Sequence, residues 1–384
     1  MSPTSFTAST SSADSGSGEA LPGERATFLD GLRGVAAIAI VFYHFTQHTD
    51  LRLMTNAYVA VDLFFVLSGY VMTRAYASRI AAGMNLSQFM ALRLIRLYPM
   101  FFVGLSLGVV ALCVKHLLGQ TSLSFGAIGS SFLINAVYLP YLNDETIRIG
   151  VHSVAGIAFP GNHAAWTLFF ELVVNLIFYT LWRCGLRSGL LLASIIAASA
   201  TFFLMMIVNG SGGAGWGTSV QHLVIGLSRT LCGFSIGVLL AELKQPPVRT
   251  SATTPLAFAM MGAFLVICAL PDTQVNFLVA ILASPLIVRA GAQLRLGGIT
   301  KRICIRLGTL SYPIYCLHFP ILLLADAAGI LHEPRLGPIP VIAWVLVCCL
   351  LAHLAAKHID VPARAWMMRR LAARNAVSVP LTKM

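Results

Sequence analysis

Five groups of polar residues sit in otherwise apolar sequence, and their types and spacing suit chemistry. The first is Phe28-Leu-Asp-Gly-Leu-Arg-Gly34, running into Tyr43-His44-Phe45. Arg33 and His44 are eleven residues apart, just past three turns at about 100° per residue, so they share one helix face. Along the axis they stand roughly 16 Å apart at 1.5 Å per residue. A cation at one mouth and an imidazole deep in the same face suit a long bound molecule. Its anionic head would sit at Arg33 and its reactive end near His44. Read alone, Arg33 is also an interfacial anchor and His44 a packing histidine.

The second group is Val61-Asp62-Leu-Phe-Phe-Val-Leu-Ser-Gly69. Asp62 lies at a depth similar to His44, where it can orient an imidazole or cap its own helix. Ser68-Gly69 suits close helix packing. The third is Arg93-Leu-Ile-Arg96. Positions three apart are neighbours on a helix, and two guanidinium forks suit phosphate; as plain anchors they would sit equally well. The fourth runs from Asn162-His163 through Trp166 to Glu171, with Asn175 and Tyr179 continuing the stripe. A buried carboxylate at Glu171 needs a partner. The fifth places Ser311, Tyr315 and His318 on one face, either as a polar site or as a packing stripe. Arg229 falls inside an apolar run and must face the bundle or a wet cavity. No H-E-x-x-H or C-x-x-C indicates a metal, and there is no Walker loop.

These residues need a scaffold, and composition names its class. Of 384 residues, 57% are hydrophobic and only 10% charged, with a mean hydropathy of +0.81. Soluble domains carry about 25% charged residues. A soluble enzyme, a disordered protein and a nucleic-acid binder are excluded. The remaining class is an all-α, polytopic membrane helical bundle, since each span takes about 20 mostly apolar residues. The eight cysteines form no metal motif and read as buried, inert thiols.

Eleven apolar stretches lie near 31–47, 57–73, 98–118, 126–142, 164–182, 189–208, 220–241, 255–271, 275–290, 310–328 and 338–355. The net charge of +12 decides among them. If 126–142 does not span, nearly all Lys and Arg fall on one side; if it spans, every later basic loop inverts. The positive-inside rule therefore predicts ten spans, both termini cytoplasmic, and an outer segment over 119–163. Residues 1–26 read as a disordered Ser/Thr-rich arm, 27–362 as the membrane domain, and 363–384 as a basic cytoplasmic tail.

Taken in order, the groups resemble acyltransferase family 3, the integral-membrane O-acyltransferases of bacterial carbohydrates. The resemblance rests on Asp-Gly-Leu-Arg-Gly, the Arg33-x10-His44 spacing, Phe-Phe-x-Leu-Ser-Gly at 64–69 and Arg-x-x-Arg at 93–96. Trp-Thr-Leu-x-x-Glu at 166–171 and Ser-Tyr-x-x-Tyr-x-x-His at 311–318 complete it. It implies ten core spans, no permanently bound cofactor, and acyl-CoA, above all acetyl-CoA, arriving as donor from the cytoplasm. It implies transfer to a hydroxyl of a carbohydrate or glycolipid at the bacterial inner membrane. His44 would be the base, with Asp62 or Glu171 orienting its ring. Arg33, Arg93 and Arg96 would bind the donor. Trp166, Asn175, Arg229, Ser311, Tyr315 and His318 would form a substrate-binding or structural polar core. Two features depart from the family. Many members carry two consecutive acids where this chain has Glu171-Leu172, and some carry a further hydrolase-like domain, so the acceptor is expected to be smaller or presented by another protein. The rival reading is a transporter or polysaccharide export partner, with the buried acids and histidines as a proton relay.

Overall fold

The structure is a computed structural model, and it describes residues 26–47, 51–186, 188–209, 215–243, 253–332 and 337–377. The expected N-terminal arm, apart from Ala26, and the end of the basic tail lie outside the described residues. So do Arg25, Arg187, Lys244, Arg249, Arg335 and Lys383 of the charge pattern.

The chain folds as a helical bundle. In order, its elements are α1 (Thr27–Thr46), α2 (Ala60–Ala81), α3 (Leu86–Leu117), α4 (Phe125–Ala136), β1 (Thr146–Ile149), β2 (His152–Ala155) and α5 (Trp166–Arg183). There follow α6 (Ser188–Asn209), α7 (Val220–Glu242), α8 (Thr253–Ala269), α9 (Gln274–Gly291), α10 (Gly298–Ala327), α11 (Pro338–Ala355) and α12 (Val361–Val377). The antiparallel hairpin β1–β2, paired from Thr146 with Ala155 to Ile149 with His152, is the only sheet among the described residues. Eight helices there are long and apolar enough to cross a membrane: α1, α2, α3, α5, α7, α9, α10, and α11 with α12. The two other expected spans are α6 and α8, the latter 17 residues long. The doubtful stretch 126–142 folds as α4, only 12 residues long. At about 18 Å it is too short for a hydrocarbon core of about 30 Å.

Several helices outrun their apolar stretches. A capping box at Asn85 and Gln88 starts α3 well before the run 98–118. Arg93 and Arg96 therefore lie inside a 32-residue helix rather than at its mouth. Likewise α10 begins at Gly298, and α11 passes through a π-helical turn, Ala356–Asp360, into α12. The segment expected as a basic tail is thus helical through Val377.

Long pairings of α1 with α10 and α2 with α7 hold the bundle, and α3 also packs on α10. Small residues allow these contacts. A Cβ on Gly34 of α1 would stand 2.6 Å from the Leu307 carbonyl oxygen on α10. One on Gly69 of α2 would stand 2.0 Å from the Phe234 oxygen on α7, which gives the Ser68-Gly69 step its packing role. At the far end of α3, Lys115 forms an ion pair with Asp326 of α10, both side chains 0% exposed. Lys115 also donates to Gln120 Oε1 at 3.1 Å and to the Arg148 carbonyl at 2.7 Å, while Gly150 N–H donates to Asp326 Oδ1 at 2.8 Å. This network clamps the hairpin over the ends of α3 and α10.

Candidate active site

The line from Arg33 to His44 is real: both lie on the unbroken helix α1. Arg33 is held by the partner helix. Its Nε donates to Ser311 Oγ at 2.9 Å, and its Nη2 to the Gly308 carbonyl at 3.1 Å and to Asp30 Oδ1 at 3.3 Å. The first and fifth sequence groups thus meet across the α1–α10 contact.

Arg93 on α3 is buried and pairs with Glu171 on α5, Nη2 to Oε1 at 2.6 Å. Ser68 Oγ donates to the same carboxylate oxygen at 3.1 Å. Arg96, three residues on, keeps an exposed side chain. Arg93 and Arg33 both act electrostatically on Arg96. Three guanidiniums thus gather at one end of the bundle, with Asp30 paired to Arg33 and Glu171 to Arg93.

The other end of the line holds imidazoles. His44 falls in the last turn of α1, not deep within it. Its ring centroid is 5.2 Å from that of His318 and 6.3 Å from that of His163. Phe319 lies 5.9 Å from His44 and 5.0 Å from His163. The Gln47 amide nitrogen sits 3.2 Å from His44 Nδ1. His318 is fully buried, and its Nδ1 lies 2.8 Å from the Tyr315 carbonyl and 3.3 Å from that of Ile314.

The two carboxylates expected beside His44 are engaged elsewhere. Both Asp62 oxygens accept from Arg229 on α7, at 2.7 and 2.6 Å. Arg229 also donates to the Tyr58 carbonyl at 3.0 Å and lies 5.9 Å from the Trp166 ring centroid. A charge this buried is tolerated only when paired, and that pairing takes Asp62. Glu171 is likewise taken by Arg93. Tyr315 shares a 2.8 Å hydrogen bond with Thr167, tying α10 to α5. Asn175 is fully buried, and its amide has no hydrogen-bond partner among the described residues. Of the predicted residues, the structure gathers Arg33, Arg93 and Arg96 at one end and His44 and His318 at the other. Asp62, Arg229 and Trp166 form a separate buried cluster.

Three residues at the histidine end went unassigned in the sequence. Gln47 is signalled by its i+3 spacing from His44. His163 precedes the Trp166 motif. Trp216, from a distant loop, lies 5.1 Å from His163 by ring centroids, and no local signal links the two. Among the described residues no group of three or more His, Cys, Asp or Glu could hold a metal ion.

A protein of Rhizobium radiobacter, Protein 2 in the picA locus, is 31% identical over 48% of this chain and 95% of its own length. BcsY of Komagataeibacter xylinus, named for a membrane-bound transacylase, is 24% identical over 88% of this chain and 83% of its own. The O-acetyltransferase OatA of Staphylococcus aureus is 22% identical over 88% of this chain, which spans only 57% of OatA. No solved structure matches. The sequence model of one family, described as an acyltransferase domain, matches residues 27–362. That stretch carries both the three arginines and the imidazoles, and over it the chain belongs to acyltransferase family 3.

Proposed function

We propose that the protein is a membrane O-acyltransferase that moves an acyl group, an acetyl group in the first place, from acyl-CoA to a hydroxyl of a cell-surface or exported carbohydrate. One observation carries this reading. A single helix, α1, links a cluster of three arginines to a cluster of imidazoles roughly 16 Å away at helical rise. Coenzyme A is a polyanion with a thioester at the end of a long arm, and this layout accepts both parts. The relatives support the group transferred, since OatA is named as an O-acetyltransferase. In this reading the arginine end faces the cytoplasm of a bacterial inner membrane, with ten spans and both termini inside.

An alcohol is a poor nucleophile at neutral pH, and a positioned base corrects this. A side-chain amide can present its oxygen or its nitrogen to a neighbour. The structure records the Gln47 nitrogen towards the ring; with the amide turned over, its oxygen accepts from Nδ1, so that Nδ1 of His44 carries the proton and Nε2 is the base. Nε2 takes the hydroxyl proton as the alcohol oxygen attacks the thioester carbonyl carbon. The C–S bond then breaks, and the imidazolium returns the proton to the leaving thiolate. The products are an O-acyl ester and free CoA thiol. Arg33, Arg93 and Arg96 supply no proton; they hold phosphate charge and fix the donor's register along α1.

The test is acetyl transfer in the native host. A strain lacking the gene should lose O-acetyl groups from its surface glycans, by mass spectrometry, and regain them with the wild-type gene. The reading fails if the glycans of the two strains are identical, or if the purified protein in nanodiscs neither binds CoA nor turns over acetyl-CoA.

A further inference from the structure

The histidine end contains more than a base. His318 Nδ1 faces two backbone carbonyls, which can only accept. The ring proton therefore sits on Nδ1, and Nε2 of neutral His318 is a lone pair. That Nε2 is buried and has no hydrogen-bond partner among the described residues. His163 Nε2 is buried and unpartnered in the same way. Buried polar atoms are nearly always paired, so two such nitrogens, on rings 6.3 and 5.2 Å from that of His44 by centroids, ask for a ligand.

Trp216 supplies the rest. It is partly buried, packs on His163, and stands 4.9 Å from His222 by ring centroids. Its backbone is fixed: the Trp216 carbonyl accepts from Ala158 N–H at 3.2 Å, and Gly217 pairs with Ile157. An indole held next to the unpaired His163 nitrogen suits a sugar ring, whose C–H face stacks on an aromatic while its hydroxyls donate or accept.

We infer that His163, His318 and Trp216 form the acceptor subsite, which receives a carbohydrate ring from the hairpin end and delivers one hydroxyl to His44. This rests on the acyltransferase reading, with His44 at the reacting end. The His318 lone pair accepts from a hydroxyl of the ring and so fixes which oxygen meets His44. Donor and acceptor then approach from opposite ends of α1, and neither has to pass the other.

The experiment reads donor and acceptor sides separately, with Trp216→Ala, Trp216→Tyr and His163→Phe in the gene-deleted host. Glycan O-acetyl content is measured by mass spectrometry, and CoA affinity by calorimetry on the purified protein. Trp216→Ala and His163→Phe should lower O-acetyl content about tenfold or more, the scale of one lost contact, with normal abundance and CoA affinity. Trp216→Tyr, which keeps an aromatic face, should recover most of the loss. Wild-type acetylation in both Trp216→Ala and His163→Phe would overturn the subsite. So would a parallel loss of CoA affinity, or equal loss in Trp216→Tyr and Trp216→Ala at normal abundance. Failure of wild-type protein to restore acetylation would instead sink the acyltransferase reading itself.

Discussion

Arg93 Nη2 lies 2.6 Å from Glu171 Oε1 across the contact between α3 and α5. This ion pair separates two arginines that look equivalent in the sequence. Arg93 is already balanced by a carboxylate, whereas Arg96 is exposed beside it. Arg96→Ala should weaken CoA binding about tenfold or more, one charge-assisted contact, with normal abundance. Arg93→Ala should weaken CoA binding less, and should cost about 2–3 kcal/mol of stability because it strands Glu171. Adding Glu171→Ala should return part of that cost. Calorimetry with CoA and thermal unfolding in detergent check both; equal effects of the two single substitutions on CoA binding and stability would remove the distinction.

Asp62 and Arg229 make a bidentate pair with side chains 8% and 2% exposed. Losing one partner of such a pair costs about 3–5 kcal/mol. Asp62→Ala should therefore lower the amount of folded protein, while whatever folds turns over acetyl-CoA at close to the wild-type rate per molecule. A fully abundant but inactive Asp62→Ala protein would restore a direct role in the chemistry.

How much of this was legible follows from what each feature depends on. Helical periodicity and hydropathy are local, so the class of fold and the shared face of Arg33 and His44 can be read directly. The failure of 126–142 to span was legible through charge, although its own composition is ambiguous. Helix ends were not legible, because an apolar run marks only the stretch that lipid or core requires. That is why Arg93 and Arg96 seemed to precede α3. Pairings between distant segments were invisible for a different reason. Asp62 could serve His44 or Arg229 on sequence grounds, and only the packing of α2 on α7 chooses. The same holds for Trp216, which reaches His163 through a loop that carries no motif.

The buried pair of Lys115 and Asp326 fastens the hairpin over the histidine end. Lys115→Met alone should strand Asp326 and destabilise the protein by about 3–5 kcal/mol. Lys115→Met with Asp326→Leu should be milder than either single change, because no charge is left unpaired. Thermal unfolding of the three variants tests this; a double variant as unstable as the sum of the singles would exclude the coupling.

The proposed topology places 119–163 outside. Single cysteines at Ser124 and Glu145, in a cysteine-free background, should react with an impermeant maleimide from the periplasm. Ser124, at the start of α4, is exposed, and Glu145, just before β1, is partly exposed. Labelling of Glu145→Cys only after the cytoplasm is opened would invert the bundle and place the arginine end outside.

His44 is the sharpest case. Among the described histidines it alone stands on the same helix as Arg33, it is flanked by two further imidazoles, and the Gln47 amide lies 3.2 Å from its Nδ1. Loss of a general base typically costs about 10²–10⁴-fold in rate. His44→Gln keeps a polar group of similar reach but takes no proton at neutral pH. It should fold, insert and bind CoA normally, with transfer reduced by that factor. Gln47→Ala leaves the imidazole but releases its tautomer, and should lower the rate about tenfold, the worth of one hydrogen bond. His318 is the rival base, since its Nε2 lone pair lies in the same cluster. The two roles separate in the double variant His44→Gln/Gln47→Ala. If His44 is the base and Gln47 acts through it, the second change adds nothing to the first. Transfer by His44→Gln within a few-fold of wild type would move the base to His318.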